Sequence, residues 1–180
     1  MKKSIKGQVW LETVVYILIG LVLIGLVLTF VTPKINEKKD RIIVEQTITA
    51  LNSIDKKINE VLESGQYNKR AVEFQMSRGE LNFDSQNNKI VFVLDKLSRP
   101  YSEPGVNIPL GRVVLQTTQD GKYSSVSITL QYTQGIDLTF NDQNNNEKIT
   151  PSSQPYKLYI ENKGLINIGI EKAYKIDITK

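Results

Sequence analysis

Glu12 is the first carboxylate of the chain, and it stands immediately before an apolar run, Thr13 to Val31, that carries no charged residue. A carboxylate held against hydrocarbon costs on the order of 2.5 to 3.5 kcal/mol at the centre of a membrane span, and less near its edge. Such a group calls for a partner. At the start of a helix the exposed N–H groups and the macrodipole can serve in part, because both favour negative charge. Other chemistry is scarce. The chain has no cysteine, hence no disulfide and no thiolate metal ligand, and no histidine, the commonest general base and a usual zinc ligand. Neither a GxSxG nor an HExxH pattern occurs, nor a Walker motif, so the reading is of a chain that is not an enzyme and holds no cofactor.

The element that positions Glu12 is the apolar run itself. Its 19 residues reach roughly 28 Å as a helix, close to the hydrocarbon thickness of a bilayer. An ordinary cleaved secretion signal has a shorter apolar region and a small-residue cleavage site after it, whereas Phe30, Val31, Thr32 and Pro33 follow here. The span is therefore expected to stay in the mature protein. What can be removed is the short head, Met1 to Gly7, with Lys2, Lys3 and Lys6.

The stretch "KGQVWLE", followed by the uninterrupted apolar run, resembles the processing site of archaeal type IV pilin-like proteins with a class III signal peptide. The likeness covers about the first 31 residues and combines a basic head, a Gly-Gln junction, a spaced Glu and the span. Archaellins share the leader type but tend to lack this Trp-Leu-Glu, and so fit less well. The resemblance implies cleavage between Gly7 and Gln8, with Lys6 in the recognised head, by a prepilin peptidase on the cytoplasmic side. Glu12 then becomes the fifth mature residue, the place where that family carries its glutamate. It further implies that Glu12 meets the new α-amine of Gln8 of a neighbouring subunit. In a dry helical bundle every wrong stagger would leave a charge uncompensated, so the pair would set axial register. The implied partners are other copies of the chain, the peptidase, an assembly ATPase with its membrane platform protein, and membrane lipid before assembly. The implied location is the cell membrane, as a single-pass protein, and then a surface filament, with adhesion as the family's default role.

Composition agrees with this class. The net charge of +4 comes mostly from the head, since removing its three lysines leaves 20 basic against 19 acidic side chains. With no basic block, nucleic-acid binding is not expected. Lys34, Lys38, Lys39 and Arg41 follow the span and rival the lysines before it, so charge alone does not orient the chain. The 149 residues after Val31 suit one compact domain.

Four segments are expected: a leader at 1–7, a transmembrane or filament-core helix at 8–32, an amphipathic continuation at 33–64 and a β-rich domain at 65–180. In the third, Ile35, Ile42, Ile43, Leu51, Ile54, Ile58, Val61 and Leu62 recur at helical spacing, and Gly65 is the stop. A helix from Gln8 to Ser64 would reach roughly 85 Å. Pro33 should cost one backbone hydrogen bond and bend it.

After Gly65 the period changes to two. "AVEFQM", "ELNFD", "KIVFVL", "RVVLQTT", "VSITLQY", "IDLTF", "YKLYIEN" and "YKIDIT" read as about eight strands, with no helix between them. The expected fold class is α+β: a long N-terminal helix followed by an antiparallel β-sandwich-like domain. "RPYSEPGVNIP" reads as an irregular surface crossover, and "FNDQNNNEKITPSSQP" as a mobile polar loop. Asp142, Asn144 and Asn146 imitate the start of a calcium loop, but Glu147 replaces its glycine and Ser153 its bidentate Glu, so no metal is assigned. Tyr67, Tyr101, Tyr123, Tyr132, Tyr156, Tyr159 and Tyr174 could line a sugar-binding surface, though sheet core and edge positions explain most of them. No Asn-x-Ser/Thr acceptor occurs. The alternative function is a minor pilin or a non-polymerising, membrane-anchored binding module.

Overall fold

The computed structural model describes residues 5–180, with side chains from Val9 onward. Residues 1–4 of the expected leader, with Lys2 and Lys3, lie outside the described residues, as do the side chains of Lys6 and Gln8. Helix α1 runs Ile5–Glu63 without interruption, and Pro33 lies inside it. Pro33 has no N–H to give, but the loss of one hydrogen bond does not end the element. The helix stops where the sequence places the stop: Gly65 takes φ 89°, a left-handed conformation that glycine adopts at no steric cost, and its N–H reaches Leu62 O at 3.3 Å.

The chain divides into two units, one ending at Lys39 and the other spanning Asp40–Lys180. Among the described residues the first is helix alone. In the second, the helical residues Asp40, Val44, Thr47, Leu51, Ile54, Ile58 and Val61 are buried. They alternate at four and three residues, so they form one stripe of the helix. Ile42 lies off that stripe and is 50% exposed, although its spacing suggested a core position; Val44 takes that place.

Ten strands follow: β1 (Lys69–Phe74), β2 (Glu80–Asp84), β3 (Lys89–Leu97), β4 (Asn107–Leu110), β5 (Val113–Asp120), β6 (Tyr123–Gln131), β7 (Ile136–Phe140), β8 (Asn146–Ile149), β9 (Tyr156–Ile168) and β10 (Glu171–Thr179). They form a four-stranded sheet in the order β1-β9-β10-β7 and a six-stranded sheet in the order β4-β5-β6-β3-β2-β8. The fold is α+β, a long apolar N-terminal helix followed by a β-sandwich-like domain. Alternation works as expected in β6, where Val126, Ile128 and Leu130 are buried between half-buried Ser127 and Thr129.

Three expectations need correction. The Pro-rich crossover contains β4, paired with β5 from Asn107↔Gln116 to Leu110↔Val113. The polar loop contains β8, paired with β2 from Leu81↔Ile149 to Asp84↔Asn146. The domain is not purely antiparallel: β10 and β7 run parallel, Tyr174 opposite Ile136. That pair needs no crossover helix, because the chain between β7 and β10 passes through β8 of the other sheet and returns along β9.

One core joins the domain helix to both sheets. Phe83 of β2 and Phe140 of β7 meet between the sheets, with ring centroids 4.8 Å apart. Polar groups pin the helix at three heights. Buried Asp40 takes Arg78 and, at 2.9 Å, the Ser98 N–H. Asp55 takes the Tyr132 hydroxyl at 2.7 Å and Arg112 Nε at 3.1 Å. Near the helix end, the Asn162 amide donates to Val61 O at 3.2 Å.

Candidate functional site

From Val9 to Thr32 the helix carries one charged side chain, Glu12, and is otherwise dominated by apolar residues on every side, with the large ones exposed: Trp10 70%, Leu21 60%, Ile24 58%, Phe30 74%. The helix is long and apolar enough to cross a membrane, with none of its most apolar window buried inside the structure. A helix apolar all round is stable only when lipid or protein covers it. Trp10 and Phe30 stand 20 residues apart, about 30 Å along the axis, as aromatic residues do at the two faces of a bilayer.

The polar side chains of this stretch are few, and their hydroxyls are used within the helix. Thr13, Thr29 and Thr32 donate to Val9 O, Gly25 O and Leu28 O at 2.9, 2.9 and 2.7 Å. A hydroxyl bonded back to the carbonyl four residues earlier no longer needs water. Tyr16 donates to Glu12 Oε1 at 3.0 Å. Side chains on a helix lean toward its N-terminus, so the ring of Tyr16 points back over the turn that holds Glu12.

Of the expected site residues, Lys6, Gly7 and Gln8 lie in the first helical turns and Glu12 one turn further on. Glu12 is therefore presented on a regular helix, next to a fully exposed apolar surface. Tyr16 belongs beside it. Tyr16 does not stand out in the apolar run, although it lies at the i,i+4 spacing from Glu12 that makes a Tyr–Glu pair on a helix.

Elsewhere, the tyrosines do not assemble into one surface. Tyr132 is buried, Tyr101 and Tyr156 pack against the core, and Arg41 lies 5.3 Å from the ring centre of Tyr101. Burial, reinforced by the hydrogen bond to Asp55 and its charge, pushes the Tyr132 hydroxyl well above its ordinary pKa, against the opposing effect of Arg112. In the 140–146 turn, the Asp142 carboxylate faces Lys175 at 3.2 Å and Lys163 at 3.4 Å, and Asn146 opens β8. The hydrogen bond from Lys175 is the largest cause holding Asp142 below the usual carboxylate range. A Ser53-x-x-Lys56 spacing lies on the helix, with Ser53 half-buried and Lys56 exposed.

The domain also carries an open groove of about 400 Å³. Arg78, Glu80, Asp95, Lys96 and Pro151 are among the residues that line it. Lys96 there adopts φ 56°, at a bulge in β3. Such left-handed residues are uncommon outside glycine. No family model, curated protein or solved structure matches the chain.

Proposed function

We propose that this chain is the structural subunit of a type IV pilus-like surface filament, processed between Gly7 and Gln8 and polymerised through its N-terminal helix. The observation that carries the proposal is Glu12 at the head of a helix whose apolar circumference is wholly uncovered. A single carboxylate there is a poor feature for a simple anchor and a useful one for a bundle, since it penalises every stagger that leaves it unpaired. Before assembly the helix is stored in the bilayer. In the filament the same Leu, Ile and Val side chains pack against copies of themselves, where close packing rather than water exclusion stabilises association. The β-rich domain is displayed on the outside. Energy for extraction from the membrane comes from an external ATPase.

The test is Glu12→Ala in the producing cells, with membrane insertion and filament yield followed together. The expected result is normal insertion with no filaments. Normal incorporation of the variant into filaments would remove the register role.

A second reading, the membrane-anchored binding module, is favoured by the groove between Arg78 and Lys96. It predicts no filaments at all, and ligand binding that survives deletion of the span.

A further inference from the structure

Glu12 has to spend time in the membrane before any neighbouring copy can meet it. We infer that Tyr16 is the partner that holds it there: its hydroxyl donates to the carboxylate within the same helix, aims that carboxylate along the helix surface, and yields it when another subunit offers a cation. The inference rests on the filament reading for its last step only.

Three observations support it. The hydroxyl of Tyr16 is 3.0 Å from Glu12 Oε1. The other hydroxyls of the apolar stretch, those of Thr13, Thr29 and Thr32, are bonded to backbone carbonyls. Among the described residues, therefore, Tyr16 supplies the hydrogen bond that Glu12 receives. Tyr16 is also 66% exposed, so no packing within the chain forces this geometry. In hydrocarbon an unmade hydrogen bond to a carboxylate is expensive, because neither water nor a lipid tail replaces the donor. The Tyr ring is suited to this position, since its apolar body lies in the acyl region and its hydroxyl reaches back toward the head groups. A hydroxyl is also a replaceable donor. It is neutral, so a cationic amine forms the stronger bond to the same oxygen and displaces it.

The competing role is that of an interfacial tyrosine, with its hydroxyl on lipid head groups and no link to Glu12. The two roles separate in the full-length chain reconstituted in lipid bilayers, with ¹³C labels on the Tyr ring carbon bearing the hydroxyl and on the Glu side-chain carboxyl. Solid-state NMR should show a cross-peak between Tyr16 and Glu12, and Glu12→Ala should move the Tyr16 ring-carbon shift. No cross-peak, together with an unmoved shift, would overturn the pairing. This measurement involves no filament, so its outcome is independent of the filament reading.

A second measurement reads the consequence in cells. Tyr16→Phe should lower the membrane-inserted pool by about fivefold, the factor that a typical net hydrogen bond supplies. In a Glu12→Ala background the same substitution should leave the pool unchanged or raise it, since Phe is the more apolar residue. Equal effects of Tyr16→Phe in both backgrounds would overturn the proposal.

Discussion

Tyr132→Phe removes one hydroxyl from the join between helix and sheet, and its effect should depend on pH in a way that identifies the hydroxyl. The phenol donates to Asp55 Oδ1 at 2.7 Å from a side chain that is 2% exposed. A hydrogen bond to a charged group contributes about 1.5 to 3 kcal/mol. The low end applies here, because Arg112 Nε remains 3.1 Å from the same oxygen and keeps the carboxylate paired. The phenylalanine ring preserves the packing, including the Arg112 guanidinium 5.1 Å above it. The expected loss is thus about 1.5 kcal/mol near pH 8, or about 3 to 6 °C in Tm for a domain of this size.

The sign of the pH effect follows from the raised pKa of Tyr132. In the unfolded chain the phenol titrates at its ordinary value, 10.0, whereas in the fold burial keeps it neutral well beyond that. Its stabilisation is complete below pH 10.0 and lost as the pH rises, by about 1.4 kcal/mol per pH unit for one group. The variant has no such group, and its other ionisable side chains are those of the wild type. The advantage of the wild type should therefore shrink above pH 10.0 and vanish near about pH 11. Thermal unfolding of the full chain in detergent micelles, followed by the β-sheet circular dichroism signal from about pH 8 to 11.5, measures this difference. A difference that stays constant across that range would refute the claim that the fold holds this hydroxyl neutral.

Two further substitutions test the domain. Gly79 has φ 89°, and a Cβ there would fall 2.7 Å from Val93 O and closer still to the ring of Phe92, which is fully buried. Gly79→Ala should cost about 2 to 4 kcal/mol through strain and displaced core packing, read as a fall in the unfolding midpoint. Arg78→Ala leaves the Asp40 carboxylate, 3% exposed, with only the Ser98 N–H. A loss of about 2 kcal/mol is expected, since Arg78 is itself half exposed and the full penalty for an unpaired buried charge does not apply. A change within about 0.5 kcal/mol, the range of ordinary surface substitutions, would count against the role assigned to this pair.

Most of the fold was legible because burial follows period. The stripe from Leu51 to Val61 and the alternation in β6 and β9 are written in apolar spacing, and Gly65 ends the helix by a conformation that other residues avoid. The strands that escaped, β4 and β8, are the outermost of the six-stranded sheet, with side chains mostly exposed. They are strands because β5 and β2 offer them hydrogen bonds, and no apolar alternation records that. The parallel register of β7 on β10 is likewise a property of the assembled sheet, absent from either segment alone. At the site, Glu12 was conspicuous as a charge beside hydrocarbon. Tyr16 was not, since an aromatic residue in an apolar run looks like part of the run until its hydroxyl is traced to a partner.

On the filament reading, this chain becomes a processed filament subunit. Mass spectrometry of the N-terminal peptide tests it most directly, run in parallel on sheared surface material and on membranes from the producing cells. A peptide beginning at Gln8 is expected in the sheared fraction, with intact precursor in the membranes. A peptide beginning at Met1 or Lys2 and found only in membranes would contradict it, and would leave the anchored binding module as the better description.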